Sequence, residues 1–126
     1  MDPLKIVWLP QARIQFHEII TYWAEKLESV SYVQKIREDV QRVLEILKFS
    51  PRIGRTVEDT NEEVRRVTIL RNYSIFYKWV EDYNEIQIIT FWDNRNDPNK
   101  LDLSYKPLSY AYPINTPEES ESFLYP

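Results

Sequence analysis

The sequence contains no cysteine and only one histidine, His17. Without cysteine, a disulfide, a thiolate nucleophile and a cysteine-based zinc site are all excluded, and one histidine cannot form a histidine-rich metal site. The single glycine, Gly54, excludes a glycine-rich loop that would cradle phosphates. We therefore predict a protein without a metal or other cofactor, in which tight turns depend on asparagine, aspartate and proline.

Long apolar runs are also missing. No stretch approaches the length of a membrane span, and the N-terminus lacks the apolar segment of a signal peptide. We therefore expect a cytoplasmic protein with no membrane partner. With 126 residues, 43% of them hydrophobic and 29% charged, the chain has the size and composition of one globular domain.

The formal net charge is -4, and it is distributed unevenly. Residues 1–101 contain 15 Lys and Arg against 16 Asp and Glu, whereas residues 102–126 contain one Lys against four Asp and Glu. We interpret residues 1–101 as the folded domain. Residues 102–126 carry four prolines without clear periodicity, which predicts an extended acidic tail, partly disordered or folded back on the domain. This overall balance does not favour binding to nucleic acid. A local basic cluster in the loop and sheet region stays open, formed by Arg52, Arg55, Arg65, Arg66, Arg71, Lys78 and Arg95.

Two stretches repeat apolar residues at helical spacing, and each predicts an amphipathic helix. A short apolar strand over residues 4–9 and then Pro10 come before the first helix. The second helix has Ser29 or Ser31 as its predicted N-cap and ends near Phe49, because the following Ser-Pro pair disfavours helix. The apolar positions are Ala12, Phe16, Ile19, Ile20, Trp23 and Leu27 in the first helix, and Val33, Ile36, Val40, Val43, Leu44 and Leu47 in the second.

Residues 64–98 are the stretch around which the other segments are organised. β-Branched and aromatic residues alternate there between polar breaks, which predicts strands over 64–70, 73–80 and 85–92. Residues 51–63 are polar and predict a loop. The order is β-α-α-β-β-β, and we expect an α+β domain in which the helical hairpin packs on a small antiparallel sheet.

One face of this sheet is expected to lie away from the helices and to remain partly apolar, which is typical of a partner surface. The alternative is that the acidic tail folds over the same face. The sequence leaves both open. The predicted partner-binding residues are Val67, Ile69, Ser74, Phe76, Lys78 and Arg95.

The order of elements and several short strings resemble the RelE/ParE superfamily of type II toxin–antitoxin toxins, also called plasmid-stabilisation proteins. The resemblance covers roughly residues 4–101. The strings are Trp8-Leu9-Pro10 with Ala12, Ser50-Pro51-Arg52-Ile53-Gly54-Arg55, Arg65-Arg66 followed by Asn72-Tyr73-Ser74-Ile75-Phe76-Tyr77, and Phe91-Trp92-Asp93-Asn94-Arg95 with Asp97-Pro98.

The resemblance implies a small toxin that is neutralised by a cognate antitoxin, with one of two activities. RelE-like members cut mRNA in the ribosomal A site, and ParE-like members poison DNA gyrase. The main catalytic positions of RelE-like members fall on Val67, Ile69, Ser74, Arg95 and, approximately, Leu101 of this sequence. Only Arg95 keeps the expected residue type, so the resemblance favours the ParE-like side, a gyrase inhibitor that is not an enzyme.

Two alternatives remain open. If the chain is a metal-independent ribonuclease acting on ribosome-bound mRNA, Arg95 would have to work with Arg65 or Lys78 as the cationic groups around a phosphate. If it is a non-toxic relative, it only binds a partner. Arg95 itself either contacts a target or a phosphate, or forms an ion pair with Asp93, Asp97 or a neighbouring loop.

Several polar and aromatic residues have simpler interpretations. Arg65 and Arg66 are adjacent on a strand, so their side chains are expected on opposite faces. Tyr73 and Tyr77 occupy core positions of a strand rather than catalytic ones, and His17 is expected to be a solvated helix residue.

Overall fold

The computed structural model describes residues 2–26, 30–61 and 63–104. Two long helices follow the first strand, and four further strands complete the domain. The elements are β1 (Lys5–Trp8), α1 (Pro10–Lys26), α2 (Ser31–Phe49), β2 (Arg55–Thr56), β3 (Val64–Ile69), β4 (Tyr73–Val80) and β5 (Glu85–Asp93), with 3-10 turns at Glu81–Tyr83 and Pro98–Lys100. Of the helices within these ranges, none combines the length and the apolar character needed to cross a membrane.

The strands form one sheet in the order β1-β5-β4-β3-β2. The antiparallel meander β3-β4-β5 is confirmed. The sheet was expected to be antiparallel throughout, but β1 pairs with β5 in parallel and makes it mixed. The loop predicted over residues 51–63 also contains the two-residue edge strand β2. A parallel pair joins segments that are distant in sequence, so no local pattern could have indicated it.

The hairpin of α1 and α2 covers one face of the sheet, as predicted. Inward side chains of β4 (Tyr73, Ile75 and Tyr77) pack against the apolar stripes of both helices in the main core. Helix α2 begins one residue after Val30, which makes no side-chain capping bond, so Ser31 is the first helical residue rather than the cap. The predicted stripe residue Leu27 and the other candidate cap, Ser29, lie outside the described residues.

The face of the sheet away from the helices, here called the outer face, carries a second apolar cluster. It is built from Val7, Leu9, Val64, Phe76 and Ile89, and Val57, Trp92, Leu101 and Leu103 pack against it. The carbonyl oxygen of Asp102 holds the last of these segments in place, because it accepts hydrogen bonds from Gln11 Nε2 (3.1 Å) and Thr90 Oγ1 (3.2 Å). Part of the face expected to be open is thus covered by residues 101–104 of the same chain.

The predicted tail therefore starts as part of this outer layer. The remainder, residues 105–126, lies outside the described residues, and the division of the chain at residue 101 stays a prediction.

A β-bulge in β5 decides which of its side chains face the helices. The register with β4 shifts between Phe76, which pairs with Thr90, and Tyr77, which pairs with Ile88, so that Ile89 is the extra residue. Such an insertion reverses the alternation of side chains beyond it. Phe91 consequently joins Ile88 in the main core, whereas Ile89 joins the outer cluster. The bulge therefore brings Phe91 and Asp93 to the helical side.

Tight turns use non-glycine residues in the left-handed region, as the shortage of glycine requires. Asn84, Asn61 and Asp59 have positive φ angles, in agreement with the expectation that Asn and Asp would fill such positions. Leu70 and Arg71 in the β3–β4 turn also have positive φ angles (46° and 68°). A residue with a side chain pays conformational energy in this left-handed region. Asp39 of α2 supports this turn, because its Oδ2 accepts a bond from Leu70 N at 3.1 Å.

Gly54 fills a position that has no room for a side chain. Its amide donates to Tyr77 Oη (2.9 Å), and the same hydroxyl donates to Pro51 O (2.7 Å), which fixes the loop after α2 on the sheet. Arg65 Nη1 binds the Gly54 carbonyl at 2.8 Å. A Cβ on Gly54 would lie 2.7 Å from Tyr77 Oη and 3.0 Å from the Arg66 carbonyl oxygen.

We expect Gly54→Ala to lower the free energy of unfolding by about 1–3 kcal/mol, because overpacking forces the loop or Tyr77 to move. Urea denaturation followed by circular dichroism would measure the loss. Ser50→Ala is the matched control, since Ser50 lies in the same loop and is exposed. An unchanged urea midpoint for Gly54→Ala would show that the loop accommodates the methyl group without losing stability.

Candidate functional site in the α1–β5 groove

A concave surface lies between α1 and the end of β5, where the helical hairpin meets the end of the sheet. This α1–β5 groove has a volume of about 550 Å³. Aromatic side chains and one arginine dominate its walls, a composition typical of binding surfaces. Its lining residues are Gln15, Glu18, Ile19, Tyr22, Trp23, Phe91, Trp92, Asp93, Arg95 and Asn96.

Helix α1 closes the groove against β5 beyond the point where β1 ends. The last residue of β1, Trp8, is in register with Ile88, and β5 continues for five residues more. There Gln15 Oε1 takes the place of a strand partner and accepts a hydrogen bond from Phe91 N at 2.9 Å. Gln11 Nε2 similarly donates to Thr90 Oγ1 at 2.8 Å. The Gln15 side chain thus satisfies a backbone amide that the sheet edge would otherwise leave unpaired, and Gln11 binds the strand through the Thr90 side chain.

Arg95 forms the ion pair with Asp93 that was one of the two interpretations of its position. Its Nε and Nη2 donate to the two carboxylate oxygens at 2.9 Å each, a bidentate arrangement. Burial acts to raise the pKa of the Asp93 carboxyl, but hydrogen bonds from Arg95 outweigh it and hold that pKa below its ordinary value. The Asp93 carboxylate in turn raises the pKa of Arg95. The guanidinium is therefore fixed in place while its side chain remains half exposed.

Tyr73 connects this ion pair to the helices from beneath the groove. Its hydroxyl accepts hydrogen bonds from Trp23 Nε1 (2.7 Å) and Arg95 Nη2 (3.2 Å). Burial raises the pKa of Tyr73 to about 12, and its hydrogen bond with Tyr32 acts in the same direction. The phenol is therefore protonated at neutral pH. The core position predicted for Tyr73 is confirmed, since the residue is fully buried, and its hydroxyl also positions the groove.

Trp23 is the central aromatic residue of the groove wall. Its ring meets Tyr22 and Tyr32 edge to face, with centroids 5.0 Å and 5.1 Å away, and the Arg95 guanidinium lies 6.0 Å from its centroid. Edge-to-face pairs of this kind are among the favoured aromatic geometries. The sequence showed Trp23 only as one residue of an apolar stripe. Its position in the last third of α1, opposite the turn after β5, could not be foreseen.

Register places two of the predicted partner-binding residues on the wrong face. Val67 pairs with Ile75 and Ile69 pairs with Tyr73, and residues directly opposite each other share a face. Both therefore point toward the helices, where Ile69 is fully buried and Val67 packs against the main core. Their predicted location on the uncovered face is wrong, because Val64, Arg66 and Thr68 occupy the outward positions of β3.

Ser74, Phe76 and Lys78 do face outward, but not all of them are accessible. Ser74 and Phe76 are 0% and 2% exposed. Lys78 reaches the surface, and its Nζ lies 3.3 Å from Glu63 Oε2. Arg95 lies in the α1–β5 groove, on the helical side. The six residues therefore do not form one continuous surface.

Arg95, Arg65 and Lys78, named for the ribonuclease alternative, do not converge either. Arg65 is in register with Tyr77 and binds the loop after α2, whereas Arg95 contacts Tyr73. These positions are four residues apart on β4, about 13 Å. Lys78 starts from the opposite face of β4 but lines the same cavity as Arg65, together with Glu63 and Glu81, so it is Arg95 that lies apart. Within residues 2–26, 30–61 and 63–104, no cluster of three or more His, Cys, Asp or Glu side chains could hold a metal ion.

Comparisons with known proteins agree with this architecture. The family model described as the ParE toxin of the type II toxin–antitoxin system parDE matches residues 6–98. A solved structure described as the chromosomal ParDE TA system from P. aeruginosa is similar with a TM-score of 0.54 and 18% identity. The match covers 71% of this chain and 95% of that one, which supports the fold. Among curated proteins, none matches significantly. Because the family model spans most of the chain, this protein belongs to the ParE toxin family of type II toxin–antitoxin systems.

Proposed function

We propose that this type II toxin arrests growth by inhibiting DNA gyrase and that a cognate antitoxin neutralises it. The family match over residues 6–98 is the observation that carries this proposal. The structure similar to this chain is described as a ParDE system, which supports an antitoxin as the partner here. The toxin would act in the cytoplasm, where gyrase and newly made antitoxin are both present.

The arrangement of cations favours inhibition by surface contact over RNA cleavage. A metal-independent ribonuclease needs acid, base and cationic groups around one phosphate. Here Arg95 is held by Asp93, far from the other two cations. Arg65 binds backbone carbonyls, and Lys78 lies near Glu63 in the cavity that it shares with Arg65. An inhibitor that acts by binding needs no such convergence. It needs a preformed surface, and the α1–β5 groove has the aromatic and arginine side chains typical of binding hot spots.

Pulse labelling after induced expression, in bacterial cells that lack an antitoxin, tests the proposal. Thymidine and methionine incorporation would be followed in parallel, with an empty vector as the control. We expect thymidine incorporation to fall first, because blocked gyrase stops replication before translation. Purified gyrase would then be assayed for supercoiling with the added protein.

The other outcomes are equally informative. An earlier fall of methionine incorporation would contradict the gyrase proposal and indicate a ribosome-dependent nuclease, in which case Arg95→Ala should sharply reduce mRNA cleavage. If neither incorporation changes, the chain is a non-toxic relative that only binds a partner.

A further inference from the structure

A second arginine lies on the outer face, at the same end of the sheet as the α1–β5 groove. Arg66 pairs with Phe76 across β3 and β4, and its guanidinium carbon lies 5.4 Å from the centroid of the Phe76 ring. Its Nε donates to Ser74 Oγ (2.9 Å), and its Nη2 donates to Asn94 Oδ1 (3.0 Å). The side chain is exposed, yet three contacts fix its orientation.

The two groups that hold Arg66 are themselves fixed. Ser74 is fully buried, and its hydroxyl donates to Asn94 Oδ1 at 2.8 Å. Asn94 donates from Nδ2 to Arg71 O (3.1 Å) and from its backbone amide to Asn72 O (2.8 Å), which ties the end of β5 to the β3–β4 turn. A guanidinium held in this way loses little conformational entropy when it binds a ligand.

Both acceptors bound to Arg66 are neutral, so its charge is not compensated. Within the described part of the chain, Arg66 forms no ion pair, whereas several other cations pair with nearby carboxylates: Arg42, Lys48, Arg52, Lys78 and Arg95. A guanidinium has five N–H donors, and Ser74 and Asn94 occupy two of them. The remaining donors are available to an anion.

The surroundings of Arg66 suit an acidic side chain of a protein. Thr68 and Trp92 both pair with Ser74 on the same face. They add an exposed hydroxyl and a partly exposed indole, and Arg71 is exposed in the adjacent turn. Arg55 of β2 is in register with Arg66 and is also exposed, so three arginines lie at this place. Proteins that bind duplex nucleic acid typically neutralise several phosphates with a basic surface, whereas this chain has a net charge of -4. One carboxylate with an apolar neighbour fits better.

We propose that Arg66, with Thr68 and Trp92 beside it, binds a side-chain carboxylate from an acidic segment of a protein partner. This inference rests on the proposed function in one respect: the partner expected is the neutralising antitoxin. The anion site itself does not depend on the cellular target of the toxin.

The full-length protein, titrated with a hexaglutamate peptide at low salt, would test the site. The Arg66 Nε–Hε resonance should shift on addition of peptide. We expect Arg66→Gln to weaken peptide binding about tenfold, the scale of one hydrogen bond to a charged group, and Arg66→Lys to weaken it less. Arg42→Gln is the matched control, since Arg42 is an exposed arginine already paired with Asp39. Thermal unfolding of each variant would verify that it is folded.

Three results would overturn the proposal. Equal affinity of Arg66→Gln and the unchanged protein would exclude Arg66 as the anion site. Tighter binding of a ten-residue oligothymidylate than of hexaglutamate would indicate nucleic acid instead. The third result concerns the free protein, without peptide. If changing Glu118, Glu119 and Glu121 to Gln shifts the Arg66 resonance there, the carboxylate comes from the same chain. The gyrase proposal is tested separately, by pulse labelling. If it fails, the peptide titration still shows whether Arg66 binds a carboxylate.

Discussion

Replacing Phe91 with alanine is expected to lower the free energy of unfolding by about 3–5 kcal/mol, the range for large aromatic residues removed from a core. Phe91 is 1% exposed, and its ring lies within 4.9 Å of Phe16, 5.7 Å of Tyr73 and 6.4 Å of Trp8, centroid to centroid. A neighbouring ring that moved into the cavity would leave a second cavity at its own position. Since small domains are stable by about 5–15 kcal/mol, this change approaches the total and should shift the urea midpoint strongly.

Phe49→Ala provides the matched comparison, because Phe49 is the same residue type at the end of α2 but is 52% exposed. We expect this variant to change the unfolding free energy by less than about 1 kcal/mol. If Phe91→Ala also lowered the free energy of unfolding by less than about 1 kcal/mol, the packing of Phe91 that the bulge directs would contribute little to stability.

Trp23→Ala is expected to weaken binding to the toxin's target by about 2–4 kcal/mol, the scale of an interfacial tryptophan hot spot. Trp23 forms the centre of the α1–β5 groove and donates to Tyr73 Oη, so its loss removes the aromatic wall and leaves Tyr73 less restrained. The measurement is colony survival after induction, followed by the concentration that half-inhibits supercoiling by gyrase, the proposed target. Survival should rise, and the half-inhibitory concentration should increase at least thirtyfold, which corresponds to a loss of about 2 kcal/mol in binding free energy.

Two further variants separate the causes. Trp23→Phe keeps a ring but removes the N–H donor, so an intermediate effect would indicate that packing and the hydrogen bond both contribute. Tyr83→Ala is the control, because Tyr83 is an exposed aromatic residue (53%) in the turn before β5, outside the groove. If Trp23→Ala is folded and kills cells as the unchanged toxin does, the groove is not the target surface.

Local patterns in the sequence were sufficient for the elements and for the covered face of β4. The apolar stripes of the helices placed Ala12, Phe16 and Ile36 in the core, because a helix of 3.6 residues per turn can bury only one such stripe. The alternation in β4 placed Tyr73, Ile75 and Tyr77 beneath the helices for the same kind of reason. These periodicities are properties of a single segment, so no knowledge of its neighbours is needed.

The faces of β3 and β5 could not be predicted in the same way. In β3 the assignment depends on the register with β4, which a three-residue turn with two positive φ angles sets, and this register turned Val67 and Ile69 inward. In β5 the run Ile88-Ile89-Thr90 gives no sign of which residue will be the extra one. Only pairing with β4 makes Ile89 the bulge, and that pairing sends Asp93 to the helical side.

The sequence by itself determined the order of the two helices and the four longer strands, the absence of disulfides and thiolate chemistry, and the resemblance that the family match bears out. Only the tertiary structure decided that β1 lies parallel to β5, that residues 101–104 cover the outer cluster, and that Arg95 and Arg66 point to opposite faces of one sheet end. The reason is physical. Residue periodicity reports which side of one segment is buried, whereas a site arises where separate segments meet, and the pairing of distant strands sets that meeting point.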